Sequence, residues 1–261
     1  MTDYYTGRTA LVTGASSGIG ADMARQLGAT GAHVVLVARS ENALATVAGE
    51  VRAAGGTATV VAADLDPRDA PAALAARLDA DGLAVDVLVN NAGFGVQGPF
   101  LDASAEQAEG MVGLNVMALT SLTRRLLPGM VGRGRGGVLN VASVAAFVPA
   151  PSFAVYAATK SYVLSFSEAL WAEMRGTGVH VSCLCPGPVR TGFADRAGMN
   201  DAFFNGALPS ETVARQGLAG LAANTRRVVP GVGNKVQAIA AKLGPTSLGL
   251  AVAGAVMKKA G

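Results

Sequence analysis

The chain has 261 residues, of which 51% are hydrophobic and 15% charged, with 34 Gly and 11 Pro. That length and apolarity supply ample material for a buried core and exclude disorder for the chain as a whole. Two Cys and two His exclude a disulfide scaffold and an ordinary zinc cluster, and a formal net charge of only +3 points to no nucleic-acid partner. The start, Met1-Thr2-Asp3-Tyr4-Tyr5, has neither a basic nor an apolar leader region. No run reaches the ~18 apolar residues of a membrane span. A soluble, cytoplasmic protein is therefore expected. Charge is uneven along the chain: residues 212–261 hold seven basic residues and no acid, which hints at an acidic partner for that end.

In chain order, short Val-rich runs alternate with Ala- and Leu-rich helical stretches. Strands are expected at 8–13, 33–38, 57–62, 86–89, 137–142, 179–184 and 227–230. Helices are expected at 19–28, 42–53, 68–79, 104–109, 111–130, 152–175 and 210–223, with helical segments to the end. This alternation reads as βαβ units, hence an α/β, Rossmann-type, doubly wound parallel sheet of apolar strands covered on both faces. One dinucleotide-binding domain over 1–261 is expected, with a substrate loop at about 192–208 and a basic, apolar C-terminal extension at about 232–261. The run Gly132-Arg133-Gly134-Arg135-Gly136-Gly137 resembles an RNA-binding box, but between a helix and a strand it reads as a solvated turn. Cys183 and Cys185 alternate on a strand and read as buried thiols rather than a metal or redox pair.

The first strand runs into Thr13-Gly14-Ala15-Ser16-Ser17-Gly18-Ile19-Gly20. Such a turn lets backbone N–H groups and a helix N-terminus approach a pyrophosphate. The same residues match G-x-S-x-G, the nucleophile elbow of hydrolases. That chemistry needs an exposed loop histidine, and both His33 and His180 sit at strand positions. At the end of the second strand, where NAD sites place a carboxylate, stand Ala38 and Arg39. Arg39 suits a 2′-phosphate, so NADP(H) is favoured. Asp64, at the end of the third strand and followed by Leu65, is placed to accept from an adenine amino group.

Tyr156 and Lys160 are four apart in a helical stretch and share a face. An ammonium beside a phenol favours the phenolate and brings its pKa toward a range useful for proton transfer. Ser143, at the end of the fifth strand, could hydrogen-bond a carbonyl oxygen. Together, Thr13–Gly20, Asn90-Asn91-Ala92-Gly93, Asn115, Ser143, Tyr156-x-x-x-Lys160 and Pro186-Gly187-x-Val189-Arg190-Thr191 resemble the short-chain dehydrogenase/reductase family, in its compact single-domain branch. The motifs cover about residues 7–191.

The resemblance implies a seven-stranded sheet and hydride transfer between a nicotinamide and an alcohol or carbonyl carbon. It implies Tyr156 as general acid or base and Ser143 as the group that polarises the substrate oxygen. Lys160 would lower the tyrosine pKa and hold the nicotinamide ribose, and Asn115 would hold a water in a proton relay to Lys160. Asn90 would support the sheet. The cofactor would lie along Gly14, Ser16, Ser17, Gly18, Ile19, Gly20, Asn91, Ala92, Gly93, Pro186, Gly187, Val189 and Thr191. It also implies a homodimer or homotetramer built on the helices that begin near Met111 and Ser152.

Phe193, Met199, Phe203 and Phe204, with Phe94, Val96 and Phe147, suggest an apolar carbonyl or alcohol substrate such as a 3-oxoacyl, steroid-like or aryl compound. A non-catalytic NADP(H)-binding sensor or interaction module of the same fold is the alternative. The apolar tail with Lys258 and Lys259 suggests either packing on the domain or a contact with a membrane surface or acyl-carrier protein.

Overall fold

In a computed structural model the described residues are 2–193, 197–198, 206–243, 247, 249–251 and 253–255. Seven parallel strands, β1 Thr9–Thr13, β2 His33–Ala38, β3 Thr57–Ala62, β4 Val87–Asn90, β5 Gly136–Val141, β6 Val179–Leu184 and β7 Arg227–Val228, form one sheet in the order β3-β2-β1-β4-β5-β6-β7. The helices are α1 Thr2–Tyr5, α2 Gly18–Gly28, α3 Glu41–Ala53, α4 Ala70–Ala80, α5 Ala105–Val112, α6 Leu119–Gly132, α7 Ala154–Glu173, α8 Ser210–Ala222 and α9 Val232–Leu243.

Strand side chains alternate between faces with period two. Ala10, Val12, Val34 and Leu36 therefore join Met23, Leu27, Leu44, Val51 and Leu218 in one core layer, built on α2, α3 and α8. Leu11, Val35 and Val37 join Leu74, Leu78, Leu122 and Leu170 in the other, built on α4, α6 and α7. Both faces are thus covered, which explains why the strands read as nearly continuous apolar runs. From β1 the chain winds outward through β2 and β3, then returns to β4 on the far side of β1. That reversal opens a crevice at the carboxyl ends of β1 and β4, the usual ligand position of such sheets.

The opposite rim is closed by aromatic and charged groups. The Tyr4 hydroxyl donates to Gly136 O at 2.6 Å and the Tyr5 hydroxyl to Leu218 O at 2.6 Å. Arg133 and Arg135 approach the buried Asp86 carboxylate at 3.4 and 3.5 Å. The Gly/Arg turn is exposed, as expected of a solvated turn, and is also docked on the amino-end rim of the sheet: Asp86 attracts its arginines, and Arg133 also donates to Val85 O at 2.6 Å.

The sequence marks the strands closely, and it gives β2, β3 and β6 their observed limits. It misses α1, a four-residue helix held only by tertiary contacts. It also reads 111–130 as one regular helix. Instead a π-helical turn at Gly113–Ala118 joins α5 to α6. Asp195, Arg196, Met199, Asp201, Phe203 and Phe204 of the expected substrate loop, and Lys258 and Lys259 of the tail, lie outside the described residues.

Candidate active site

One cavity of about 780 Å³ follows the crevice from Gly14 and Arg39 at one end to Ser143, Tyr156 and Lys160 at the other. Ser16, Ser17, Gly18, Ile19, Asp64, Leu65, Asn91, Ala92, Gly93, Pro186, Gly187, Val189 and Thr191 also line it. Of the expected residues, Gly20 and Asn115 stand behind the wall.

The glycine-rich turn is shaped for close approach. Gly18 has φ +54°, a left-handed conformation, and a Cβ there would meet Thr191 Cγ2 at 3.0 Å. Gly20 packs so tightly that a Cβ would collide with Asn91 Nδ2 and Gly14 O. Ser17 caps α2 without a side-chain hydrogen bond, so its hydroxyl does not satisfy the first helical N–H groups. Those donors and the positive end of the helix dipole suit a pyrophosphate. Arg39, exposed after β2, gives this end of the cavity a cationic rim.

The turn is tied to β4 by Thr13, a residue whose role the sequence did not reveal. Its hydroxyl donates to Val89 O at 3.2 Å and accepts from the backbone N–H of Asn91 and of Ala92, both at 3.0 Å. Asn91 Nδ2 then donates to Thr13 O at 3.0 Å and Gly14 O at 3.2 Å. Asn90 fits its expected supporting role. Its Nδ2 donates to Thr123 Oγ1 at 3.0 Å and Asn140 Oδ1 at 2.9 Å, and Asn140 Nδ2 continues to Ser167 Oγ at 2.9 Å. This buried chain of amides and hydroxyls joins β4 and β5 to α6 and α7, with each polar group partnered as burial requires.

At the other end, β5 delivers Ser143 and α7 presents Tyr156 and Lys160. Phe153 stacks on Tyr156 with ring centroids 4.3 Å apart, and Phe193 tilts against it at 5.5 Å. Burial pushes the Tyr156 phenol up to about 12, opposed only by a hydrogen bond with Ser143. Lys160 is 5% exposed, and burial brings its ammonium down to about 8 while the nearby Cys183 and Cys185 thiols act in the other direction. Lys160 Nζ donates to Val141 O at 2.9 Å and lies 5.6 Å from the Tyr156 ring centroid. Desolvation is the dominant influence on the phenol, and the Ser143 hydrogen bond acts against it.

Asn115 ties separate segments together through its side chain. Its Nδ2 donates to Phe94 O at 2.9 Å and Thr159 Oγ1 at 3.1 Å, and its Oδ1 accepts from Phe94 N at 3.0 Å. Both amide hydrogens are committed, so its side chain fixes the Phe94 loop. Thr159 in turn donates to Tyr156 O at 2.7 Å, which links that loop to the turn of α7 bearing the tyrosine. The π-helical turn sets Asn115 in this position, as such irregularities often do at functional sites.

The far wall includes Gln237, Ala240 and Ala241 of α9, and Gly249 and Ala253 beyond it. Nothing in the local sequence marks them, because folding alone brings them to the cavity. The Cys183 and Cys185 sulfurs are 3.7 Å apart and buried, in line with ordinary core thiols. Among the described residues no cluster of three metal-ligating side chains occurs.

The cavity's dimensions, the donors at α2 and the side-chain-free cradle at Gly18 fit a nicotinamide dinucleotide. Comparison with known proteins agrees. Residues 8–201 match the family model described as short chain dehydrogenase. The ketoacyl reductase HetN of Nostoc sp. is 39% identical over 184 residues, covering 70% of this chain and 64% of that protein. The match thus spans less than two thirds of that curated relative. A short-chain dehydrogenase from Sphingobium yanoikuyae, solved in complex with NADPH, superposes with a TM-score of 0.82 at 32% identity, covering 89% of this chain and 91% of that one. A family member from Burkholderia phymatum, solved with NAD, gives 0.80 at 30%, covering 90% and 93%. The strand order, the cradle at the first crossover and these matches over most of the chain lead to one assignment: the chain belongs to the short-chain dehydrogenase/reductase family.

Proposed function

We propose that this protein is an NADP(H)-dependent oxidoreductase that reduces an apolar ketone to an alcohol. The observation that carries this reading is the meeting of Ser143, Tyr156 and Lys160 in the same cavity as the glycine-rich turn. The dinucleotide would lie from Arg39 and the α2 N-terminus to Lys160, and when bound it supplies the hydride. Ser143 orients the substrate oxygen by hydrogen bonding. Tyr156 donates its phenol proton to the developing alkoxide; oxidation reverses the transfer. Lys160, anchored on Val141 O, offers its other donors to the ribose hydroxyls. Phe94, Phe153 and Phe193 exclude water and favour an apolar substrate, of which a 3-oxoacyl compound is one class.

Arg39 and the lack of a carboxylate at position 38 support NADP(H) over NAD(H). A non-catalytic binding module would have no use for the Tyr156 proton so placed. A ketone panel followed at the NADPH absorbance tests the reading. Tyr156→Phe should lower turnover by ~10²–10⁴-fold with NADPH affinity nearly unchanged, since only the transferable proton is lost. Undiminished reduction by that variant refutes the assignment. Assembly into a homodimer or homotetramer through the π-helical turn, α6 and α7 is also proposed, since Met117 of that turn and Tyr162 of α7 are 50% and 41% exposed. Sedimentation showing monomer across micromolar concentrations would refute it.

A further inference from the structure

Helix α9 carries apolar residues on the side turned away from its own domain. Ala238 is buried against the domain, and Gln237, Ala240 and Ala241 line the cavity. Val232, Val236 and Ile239 are 78%, 61% and 61% exposed. Their spacing of four and then three residues gathers them into a stripe about 60° wide on the helix surface. Lys235 is exposed at the edge of that stripe. An amphipathic helix normally turns such a stripe toward the core. Here it lies on the surface beside the substrate end of the cavity.

Charge identifies the surface it fits. From residue 212 to the end the sequence has seven basic residues and no acid. Arg226 and Arg227 approach Glu168 at 3.5 and 3.6 Å, which leaves five positive charges with no acidic residue in the same segment. A second copy of the chain would bring the same basic, acid-free segment and no complementary charge within it. An anionic bilayer attracts such a segment and accepts the aliphatic stripe. With 12 residues α9 is about 18 Å long, short of the hydrocarbon thickness, and no helix among the described residues is long and apolar enough to cross a membrane. The suited position is in the plane of the interface.

We propose that α9 docks the protein onto an anionic lipid surface through Val232, Val236 and Ile239, with Lys235 among the headgroups. The edge of the cavity then faces the phase in which an apolar carbonyl substrate dissolves. That advantage rests on the oxidoreductase reading, whereas the docking does not and is measured without turnover. Gly249 and Ala253 line the cavity, in line with packing of that part of the tail on the domain, and the exposed aliphatic stripe lies on α9.

The test is cosedimentation of the full chain with phosphatidylcholine vesicles, with and without phosphatidylserine, at low and high salt. The unmodified protein should bind the phosphatidylserine vesicles and be released by salt. Replacing all three aliphatics (Val232→Ser, Val236→Ser, Ile239→Ser) should weaken binding about tenfold or more, because their burial in the interface is lost. Lys235→Glu should weaken binding to phosphatidylserine vesicles by about 10- to 30-fold, from two units of charge near the surface. NADPH affinity should be unchanged in both variants, which shows that they fold. Absence of binding to phosphatidylserine vesicles at low salt would overturn the proposal, as would unchanged binding by the triple variant. Self-association or binding of an acidic acyl-carrier protein that the triple variant abolishes, without any lipid binding, would overturn it in favour of those partners.

Discussion

Replacing Asn115 by Ala tests whether this buried amide is a positioning residue. Asn115 is 1% exposed and makes three hydrogen bonds, two to the backbone of Phe94 and one to Thr159 Oγ1. Asn115→Ala removes all three and leaves the Phe94 N–H and C=O without these partners. At ~0.5–1.5 kcal/mol per bond, the loss comes to ~1.5–4.5 kcal/mol. For a chain of this size each kcal/mol lowers the melting temperature by about 2–4 °C, so a fall of about 3–18 °C is expected. Asn115→Leu, which restores volume without the bonds, should recover little of it. Asn115→Asp still accepts from Phe94 N but sets an acceptor against Phe94 O and buries a carboxylate, and should be at least as unstable as Ala. Thermal unfolding by circular dichroism reads the stability, and turnover at a temperature where every variant is folded reads the positioning of Tyr156 through Thr159. A melting temperature for Asn115→Ala within about 1 °C of wild type would refute the hydrogen-bond reasoning.

Two further outcomes follow from the charged groups of the site. Arg39→Ala should weaken NADPH binding by roughly 10- to 150-fold, the equivalent of ~1.5–3 kcal/mol for one charge-assisted contact, with NADH little changed; equal affinity of the unmodified protein for both cofactors would exclude the phosphate contact. Lys160, lowered to about 8, is charged below that pH and neutral above it. If the ammonium holds the dinucleotide, binding raises its pKa, so affinity should fall by up to about tenfold per pH unit above 8. A fluorescence titration that stays flat from about pH 7 to about 9.5 would contradict this linkage.

Strands and the glycine cradle were legible in the sequence because each rests on a local rule. Val-rich runs at 33–38 and 179–184 can only be buried strands between helices, and Gly18 stands where the backbone turns left-handed. The position of Tyr156 relative to Lys160 was legible for the same reason, as a helical spacing. What that spacing could not give was the dielectric around the pair. Phe193 comes from a distant segment and packs with Phe153 against Tyr156, and the burial of the phenol raises its pKa. The π-helical turn was hidden as well, since Gly113–Ala118 reads like any helical sequence and the partner that stabilises it, the Phe94 loop, lies about twenty residues upstream. Thr13 and Thr159 were passed over because a threonine's value here is the carbonyls and amides it reaches, which only the fold discloses.

The two rims of the sheet divide the labour of the molecule. The proposed reacting groups, Ser143 after β5 and Tyr156 and Lys160 on α7, meet at the carboxyl ends of the strands, while Tyr4, Tyr5 and the Asp86 cluster clamp the amino ends. An engineer who wants a hardier catalyst can therefore work at one pole and leave the other alone. Substitutions around α1 or the Arg133–Arg135 turn, a strand length away from Tyr156, should change endurance to heat and denaturant without retuning selectivity. Libraries aimed at new ketones belong instead to Phe94, Phe193 and the inner side of α9.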